Sequence, residues 1–394
     1  MTQVKCTVFK LHFQKNMSYL VLARKYRPQN FEQLKGQEVL VQTITNGFLH
    51  NKLHHAYLLT GIRGIGKTTT ARIVAKTLNC SNLITENSTI KPCEECPNCK
   101  SANNGSHPDI LEFDAASNTG IDDIKVMLEG INYNPALGKY RIFIVDEVHM
   151  LSTKAFNSLL KTLEEPPSGV IFIFATTELQ KVPVTILSRC QKFVLAPLSL
   201  SAMVEHLVGI AEKENIKIAT QALELIASKS SGSVRDALSM LDQASMRSPN
   251  SEITETLVES MLSLVSKSDI SNLFHSVLEA DGDAILQNLR QIKAQGVTEN
   301  SILEEFLTCL YEEIQVCINK KTPYSNLLRI WNIMLPATQE LSYAFNKYAI
   351  LEIIFLKALH VVSSPSIENI VNGISENKIL EILKLFPKSD VIKS

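Results

Sequence analysis

The sequence lacks several features that would each have fixed its class. No uncharged apolar run approaches the roughly 18 residues that a membrane-spanning helix needs. The richest stretch, 349–362, is interrupted by Glu352, Lys357 and His360. The N-terminus has no compact apolar block and no small-residue cleavage site. Lys5, Lys10 and Lys15 are instead spread among apolar residues, so nothing there reads as a secretory signal. There is no excess of charge: 39 Lys and Arg face 40 Asp and Glu, a net charge of −1. That balance argues against a histone-like or tail-driven nucleic-acid binder but allows a local basic patch. Internal repeats and low-complexity tracts are also missing. A hydrophobic content of 45% is too high for a disordered chain. The expectation is a cytoplasmic protein with no membrane contact. Its 394 residues predict two or three domains at roughly 150 residues each.

Eight cysteines are present, too sparse for a disulfide scaffold of this length. Four of them, Cys80, Cys93, Cys96 and Cys99, form C-x₁₂-C-x₂-C-x₂-C. Paired thiolates at C-x₂-C spacing suit tetrahedral Zn²⁺, and four protein ligands leave no open position, so the expected zinc is structural. An iron–sulfur cluster is the rival occupant, without a redox motif to support it. The polar insertion 81–91 is expected to be a solvent loop. Cys309 and Cys317 fall in apolar helical patterns and read as core filler. Cys6 and Cys190 have no assigned role.

From Ser18 to about Leu198, short apolar runs alternate with helical stretches. The runs 56–59, 109–113, 141–145 and 170–174 read as buried strands, and 69–78 and 153–163 as helices. This alternation predicts a parallel sheet covered on both faces. After about Pro197 the strand signals stop. Residues 199–247 read as a small helical unit, with Ser199 or Ser201 as a cap and Gly232 before a later helix start. A turn is expected at 248–250. Beyond it, Ile270, Leu273, Phe274, Val277 and Leu278 repeat with the spacing of one buried helix face, as do Leu303, Phe306, Leu307, Leu310 and Ile314.

Gly61-Ile62-Arg63-Gly64-Ile65-Gly66-Lys67-Thr68 fits the G-x-x-x-x-G-K-[ST] phosphate loop in full, between a strand and a helix. Its backbone N–H groups would cradle phosphates, Lys67 would reach the β- and γ-phosphates of ATP, and Thr68 would ligate Mg²⁺. Downstream, the strand Phe143-Ile144-Val145 ends in Asp146-Glu147. Asp146 would serve the Mg²⁺ and Glu147 the attacking water.

Several strings together resemble one family. They are Tyr19-Leu20-Val21-Leu22-Ala23-Arg24-Lys25-Tyr26-Arg27-Pro28, Gly36-Gln37-Glu38, His54-His55-Ala56-Tyr57, Asp146-Glu147-Val148-His149-Met150-Leu151, Leu159-Leu160-Lys161-Thr162-Leu163-Glu164-Glu165-Pro166-Pro167, Ala175-Thr176-Thr177, Ile186-Leu187-Ser188-Arg189-Cys190 and Gly232-Ser233-Val234-Arg235-Asp236-Ala237-Leu238. With the zinc cysteines, they resemble the gamma/tau subunit family of bacterial DNA polymerase III, the ATPase of the sliding-clamp loader. The match runs from about Ser18 through the small helical unit. It is weaker beyond, where 346–352 carries it.

The resemblance implies an AAA+ P-loop NTPase domain with an inserted zinc loop, a helical lid and a C-terminal helical collar. The implied divisions are an N-terminal extension at 1–17, the ATPase domain at 18–198 with its zinc module at 80–99, the lid at 199–265 and the collar at 266–394. The extension also reads as a misassigned start, with Met17 the alternative. The resemblance makes Arg189 an arginine finger offered to a neighbouring subunit's ATP, Thr177 the first sensor and Arg235 the second. It puts Arg24 and Pro28 against the adenine. The implied partners are delta-type and delta-prime-type subunits in a ring, the sliding clamp, primer-template DNA and the DNA polymerase III holoenzyme. The holoenzyme is a DNA-directed DNA polymerase (a transferase), but this chain shows no polymerase site of its own. The gap between the first two zinc cysteines is longer than is usual in the family. The chain ends soon after the collar helices, as a shorter gamma-type product would. The alternatives are another ring-forming DNA motor of branch-migration or unwinding type and a non-hydrolysing scaffold. The intact Lys67, Thr68, Asp146 and Glu147 argue against the scaffold.

Overall fold

A computed structural model describes residues 19–86, 89–117, 127–248 and 251–364. The N-terminal extension with Cys6, residues 249–250 of the expected turn and the end of the collar from 365 lie outside them. The chain divides into two compact units, 1–254 and 255–394.

The first unit contains, in order, α1 (Leu22–Lys25), α2 (Glu38–Leu49), β1 (Ala56–Thr60), α3 (Lys67–Leu78), β2 (Ile84–Glu86), β3 (Thr89–Lys91), α4 (Pro97–Asn103), β4 (Ile110–Asp114), β5 (Arg141–Asp146), α5 (Thr153–Glu164), β6 (Val170–Thr176), α6 (Val184–Leu187), β7 (Gln191–Val194), α7 (Leu200–Glu214), α8 (Thr220–Lys229) and α9 (Val234–Arg247). Among the described residues, five parallel strands form a sheet in the order β4-β5-β6-β1-β7.

Three of the apolar runs become the central strands β1, β5 and β6 because both faces of the sheet are covered there. The run expected at 109–113 forms the edge strand β4 instead, where Glu112 and Asp114 are exposed and no residue is fully buried. On one face Phe143, Phe172 and Phe174 stack and pack with Phe156, Leu159 and Leu163 of α5. On the other, Ile142, Ile144, Ile171 and Ile173 meet Ile73, Val74 and Leu78 of α3. The two-residue period of a strand sorts Ile and Phe to opposite sides. Sequence reading missed β7, which has four residues, including Lys192, and exposes every second one. It also began β4 at Asp109, which lies just before the strand.

The insertion after Cys80 differs from the expected solvent loop. β2 and β3 pair as an antiparallel ribbon. Ile90 is 0% exposed and belongs to the core beside α2 and α3. Lys91 pairs with Glu32 at 2.5 Å. Leu83 packs against the same core as Ile90, so two apolar side chains anchor the ribbon, a signal too small for a periodicity argument to register.

The lid-region helices α7, α8 and α9 pack through Met203, Leu207, Leu223, Ile226, Leu238 and Leu241. Ser199 rather than Ser201 caps α7, accepting from Ala202 N at 3.3 Å. Ser233 caps α9 after Gly232, which sits at φ +81°.

The second unit is helical among its described residues: α10 (Glu255–Met261), α11 (Lys267–Leu278), α12 (Gly282–Ala294), α13 (Glu299–Lys320), α14 (Ser325–Tyr343) and α15 (Lys347–Ser363). α10 therefore clusters with the C-terminal helices, ahead of the lid limit read at residue 265. Phe274, Phe306 and Phe355 form its aromatic centre. The two predicted apolar faces are buried except at Leu278, which is 37% exposed at the end of α11. Cys309 and Cys317 pack at the edge of this core.

Candidate functional site

The phosphate loop follows β1 and runs into α3, whose N-terminal cap is Gly66. The loop borders a cleft of about 1180 Å³. Arg24, Pro28, Ile62–Thr68, Asp146, Glu147, Thr177 and Arg235 all line it, from elements far apart in the chain. Gly61 lies at the loop's root, and Arg189 is outside the cleft.

The local chemistry is consistent with a polyanion site. Lys67 Nζ donates to the Gly61 and Ile62 carbonyls, both at 3.0 Å. Burial lowers its pKa, against the pull of Glu147 and Asp146. Thr68 Oγ1 donates to Asp146 Oδ2 at 2.5 Å, bringing two hard oxygen ligands together beside the loop. Glu147 adopts a left-handed backbone at φ 46°, an uncommon choice for a non-glycine residue. Its carboxylate accepts from Thr177 N at 3.2 Å and Thr177 Oγ1 at 3.0 Å. His149 braces the same corner, with Nδ1 3.0 Å from Thr176 Oγ1 and Nε2 3.3 Å from Glu178.

The lid reaches the loop directly. Arg235 N donates to Gly64 O at 3.3 Å. Gly64 sits at φ +76°, and a Cβ there would fall 2.1 Å from Ser233 Oγ. The left-handed backbone favours glycine, and any Cβ there would force the Ser233 hydroxyl to turn away.

Sequence reading overlooked Arg27. Its Nε donates to Thr69 Oγ1 at 2.8 Å, beside the phosphate loop. Burial lowers its pKa, and Arg72 and Arg235 add to the effect. The signal was within reach, since Arg27 lies in the same string as Arg24 and Pro28. Also overlooked was Glu164, which pairs with Arg189 Nη2 at 2.5 Å.

Cys80, Cys93, Cys96 and Cys99 converge, with all four sulfurs within 4.8 Å of one another. Four thiolates around Zn²⁺ at about 2.3 Å would lie about 3.8 Å apart, and Cys80 Sγ and Cys93 Sγ are 3.6 Å apart. The donor set therefore fits zinc. Backbone N–H groups of Cys93, Cys96 and Cys99 point at neighbouring sulfurs at 3.3–3.4 Å. Burial works against a Cys96 thiolate, but N–H donation from Cys99 and Ser81 brings its pKa to about 6. Pro97 starts α4 with Cys96 as cap. On α4, buried Asn98 donates to Asn79 O at 2.8 Å, which ties the cluster to the end of α3.

Residues 36–199 match the family described as DNA polymerase III, delta subunit. Residues 202–247 match the ATPase lid domain of the DNA polymerase III clamp loader subunit. The DNA polymerase III gamma subunit of Buchnera aphidicola subsp. Schizaphis graminum is 37% identical over 364 residues, covering 87% of this chain and 99% of its own. That of subsp. Baizongia pistaciae is 43% identical over 297 residues, covering 75% and 79%. This chain belongs to the DNA polymerase III gamma/tau family. The parallel sheet, phosphate loop and helical lid of this gamma/tau chain make up the AAA+ architecture that the sequence resemblance implied. The chain spans about half the length of the tau subunits it matches, 56% of the Escherichia coli protein and 48% of the Salmonella typhimurium one. Among solved structures, the Thermotoga maritima RuvB Holliday junction branch migration motor aligns at TM-score 0.45 and 18% identity, over 69% of this chain and 86% of that one. That likeness is too low to bear on activity.

Proposed function

We propose that this chain is an ATP-hydrolysing subunit of a DNA polymerase III clamp loader, which uses ATP to open the sliding clamp and place it on primed DNA. The observation that carries the reading is the convergence of Thr68, Asp146 and Glu147 on the phosphate loop, with Arg235 of the lid at the same cleft.

The loop amides of residues 61–68 would bind the phosphates, and Lys67 Nζ would exchange its two carbonyl partners for phosphoryl oxygens. Thr68 and Asp146 would hold Mg²⁺, which offsets phosphate charge when bound. Glu147 would accept a proton from the attacking water, after its carboxylate turns from Thr177. Thr177 and Arg235 would sense the γ-phosphate from the sheet and the lid. Arg24 and Pro28 would contact the adenine. Arg189, outside its own cleft, would serve a neighbour's nucleotide in a ring built through the C-terminal helices. Delta-type and delta-prime-type subunits, the clamp and primer-template DNA would be the partners, in the cytoplasm. The four cysteines would hold a structural zinc. The ATPase domain would span 18–198, the lid 199–265 and the collar 266–394, with α10 at the end of the lid segment clustering with the collar helices. No described helix is long and apolar enough to cross a membrane.

The test is ATP turnover by the reconstituted complex with and without clamp and primed template. Stimulation by both is expected, and Glu147→Gln should keep ATP binding while losing turnover. Turnover indifferent to clamp and DNA would overturn the reading.

A further inference from the structure

Arg189 is not a free side chain. Its Nη2 donates to Glu164 Oε1 at 2.5 Å, and its Nη1 donates to Thr185 O at 2.6 Å and Ser188 Oγ at 3.3 Å. Both arms of the guanidinium fork are therefore occupied, one of them by a full negative charge. A finger acts by presenting that fork and its charge to phosphoryl oxygens. It cannot do so while a carboxylate holds one arm.

The backbone of Glu164 is held by its helix. It ends α5, which Ala155, Phe156, Leu159 and Leu163 bury against the sheet. α5 begins at Thr153, shortly after Glu147 and the turn 148–150. Its 12 residues span about 18 Å. One helix thus connects the subunit's own hydrolytic carboxylate to the carboxylate that holds its finger.

We propose that Glu164 is a positioning residue that parks Arg189 within its own subunit, and that a neighbour's bound triphosphate must compete the finger away. This rests on the reading of Arg189 as a trans finger. The pair is exposed enough to be weak, with 31% of the Arg189 and 52% of the Glu164 side chain accessible. Exposed pairs favour the paired state by about 1.4- to 5-fold. The latch is therefore reversible: it restrains basal turnover and yields to the greater charge of a nucleotide.

The test compares wild type, Glu164→Gln, Arg189→Ala and the double variant in the reconstituted ring, without clamp or DNA. Glu164→Gln keeps the shape and removes the charge. Basal kcat should rise about 2- to 5-fold, within the range set by an exposed pair, with KM for ATP unchanged or lower, since no carboxylate then competes with the nucleotide for the finger. Glu164→Asp should return it towards wild type. Arg189→Ala should abolish turnover in both backgrounds. If Glu164→Gln leaves basal kcat at or below wild type, with an unchanged melting temperature, while Arg189→Ala still abolishes turnover, the latch is refuted and the finger stands. If Arg189→Ala turns over like wild type, the finger reading falls and the latch falls with it.

Discussion

Replacing Gly232 by alanine should damage both stability and nucleotide binding, and the structure separates two causes. Gly232 has φ +81°, and an added Cβ would sit 2.5 Å from Pro197 Cβ and 3.1 Å from Leu198 O. A left-handed backbone at an L-residue costs about 1–2 kcal/mol. The overlap falls on backbone and a proline ring, so no rotamer relieves it, and the shift adds about 1–3 kcal/mol. Gly105 provides the control, with φ +68° and nothing within 4 Å of its Cβ. Gly105→Ala should therefore lose only the backbone share, about 1–2 kcal/mol. Urea unfolding of the full chain, with the nucleotide-binding unit identified by its response to ATP, measures the difference. Gly232 also sets the start of α9, which carries Arg235 to the phosphate loop. ATP affinity should accordingly fall in Gly232→Ala and hold in Gly105→Ala. Equal losses in the two variants, with ATP affinity intact in both, would refute the argument.

Ile90→Ala should destabilise the first unit by about 2–5 kcal/mol, the range for a fully buried aliphatic, as read by denaturant unfolding; a solvent-loop residue would give almost nothing. Metal analysis should find about one zinc per chain, and chelation should raise hydrogen exchange through 93–103. Asp109, 0% exposed, accepts N–H bonds from Ala136, Leu137 and Gly138 at 2.7 Å each. Burial alone would raise its pKa, but those bonds hold it below the usual carboxylate value. Its stabilising share is therefore present above about pH 4 and fades as pH falls through the folded value. Asp109→Asn should flatten the acid limb of a stability–pH profile, and an unchanged limb would remove this account.

The sequence by itself determined whatever is written in short-range spacing. The phosphate loop from Gly61 to Thr68, the Asp146-Glu147 strand end, the C-x₂-C pairs and the three buried apolar runs of β1, β5 and β6 each depend on neighbours a few residues apart. Turn chemistry, strand period and ligand spacing act over that distance. The tertiary structure alone decided which distant groups meet. Arg27 reaches Thr69 across 42 residues, Glu147 meets Thr177 across 30, and Glu164 holds Arg189 across 25. It also decided that Ile90 enters the core, that β7 joins the sheet edge and that the lid's Ser233 lies against Gly64. Such pairings follow from how helices and strands pack, and packing is a property of the whole fold that no local window of sequence contains.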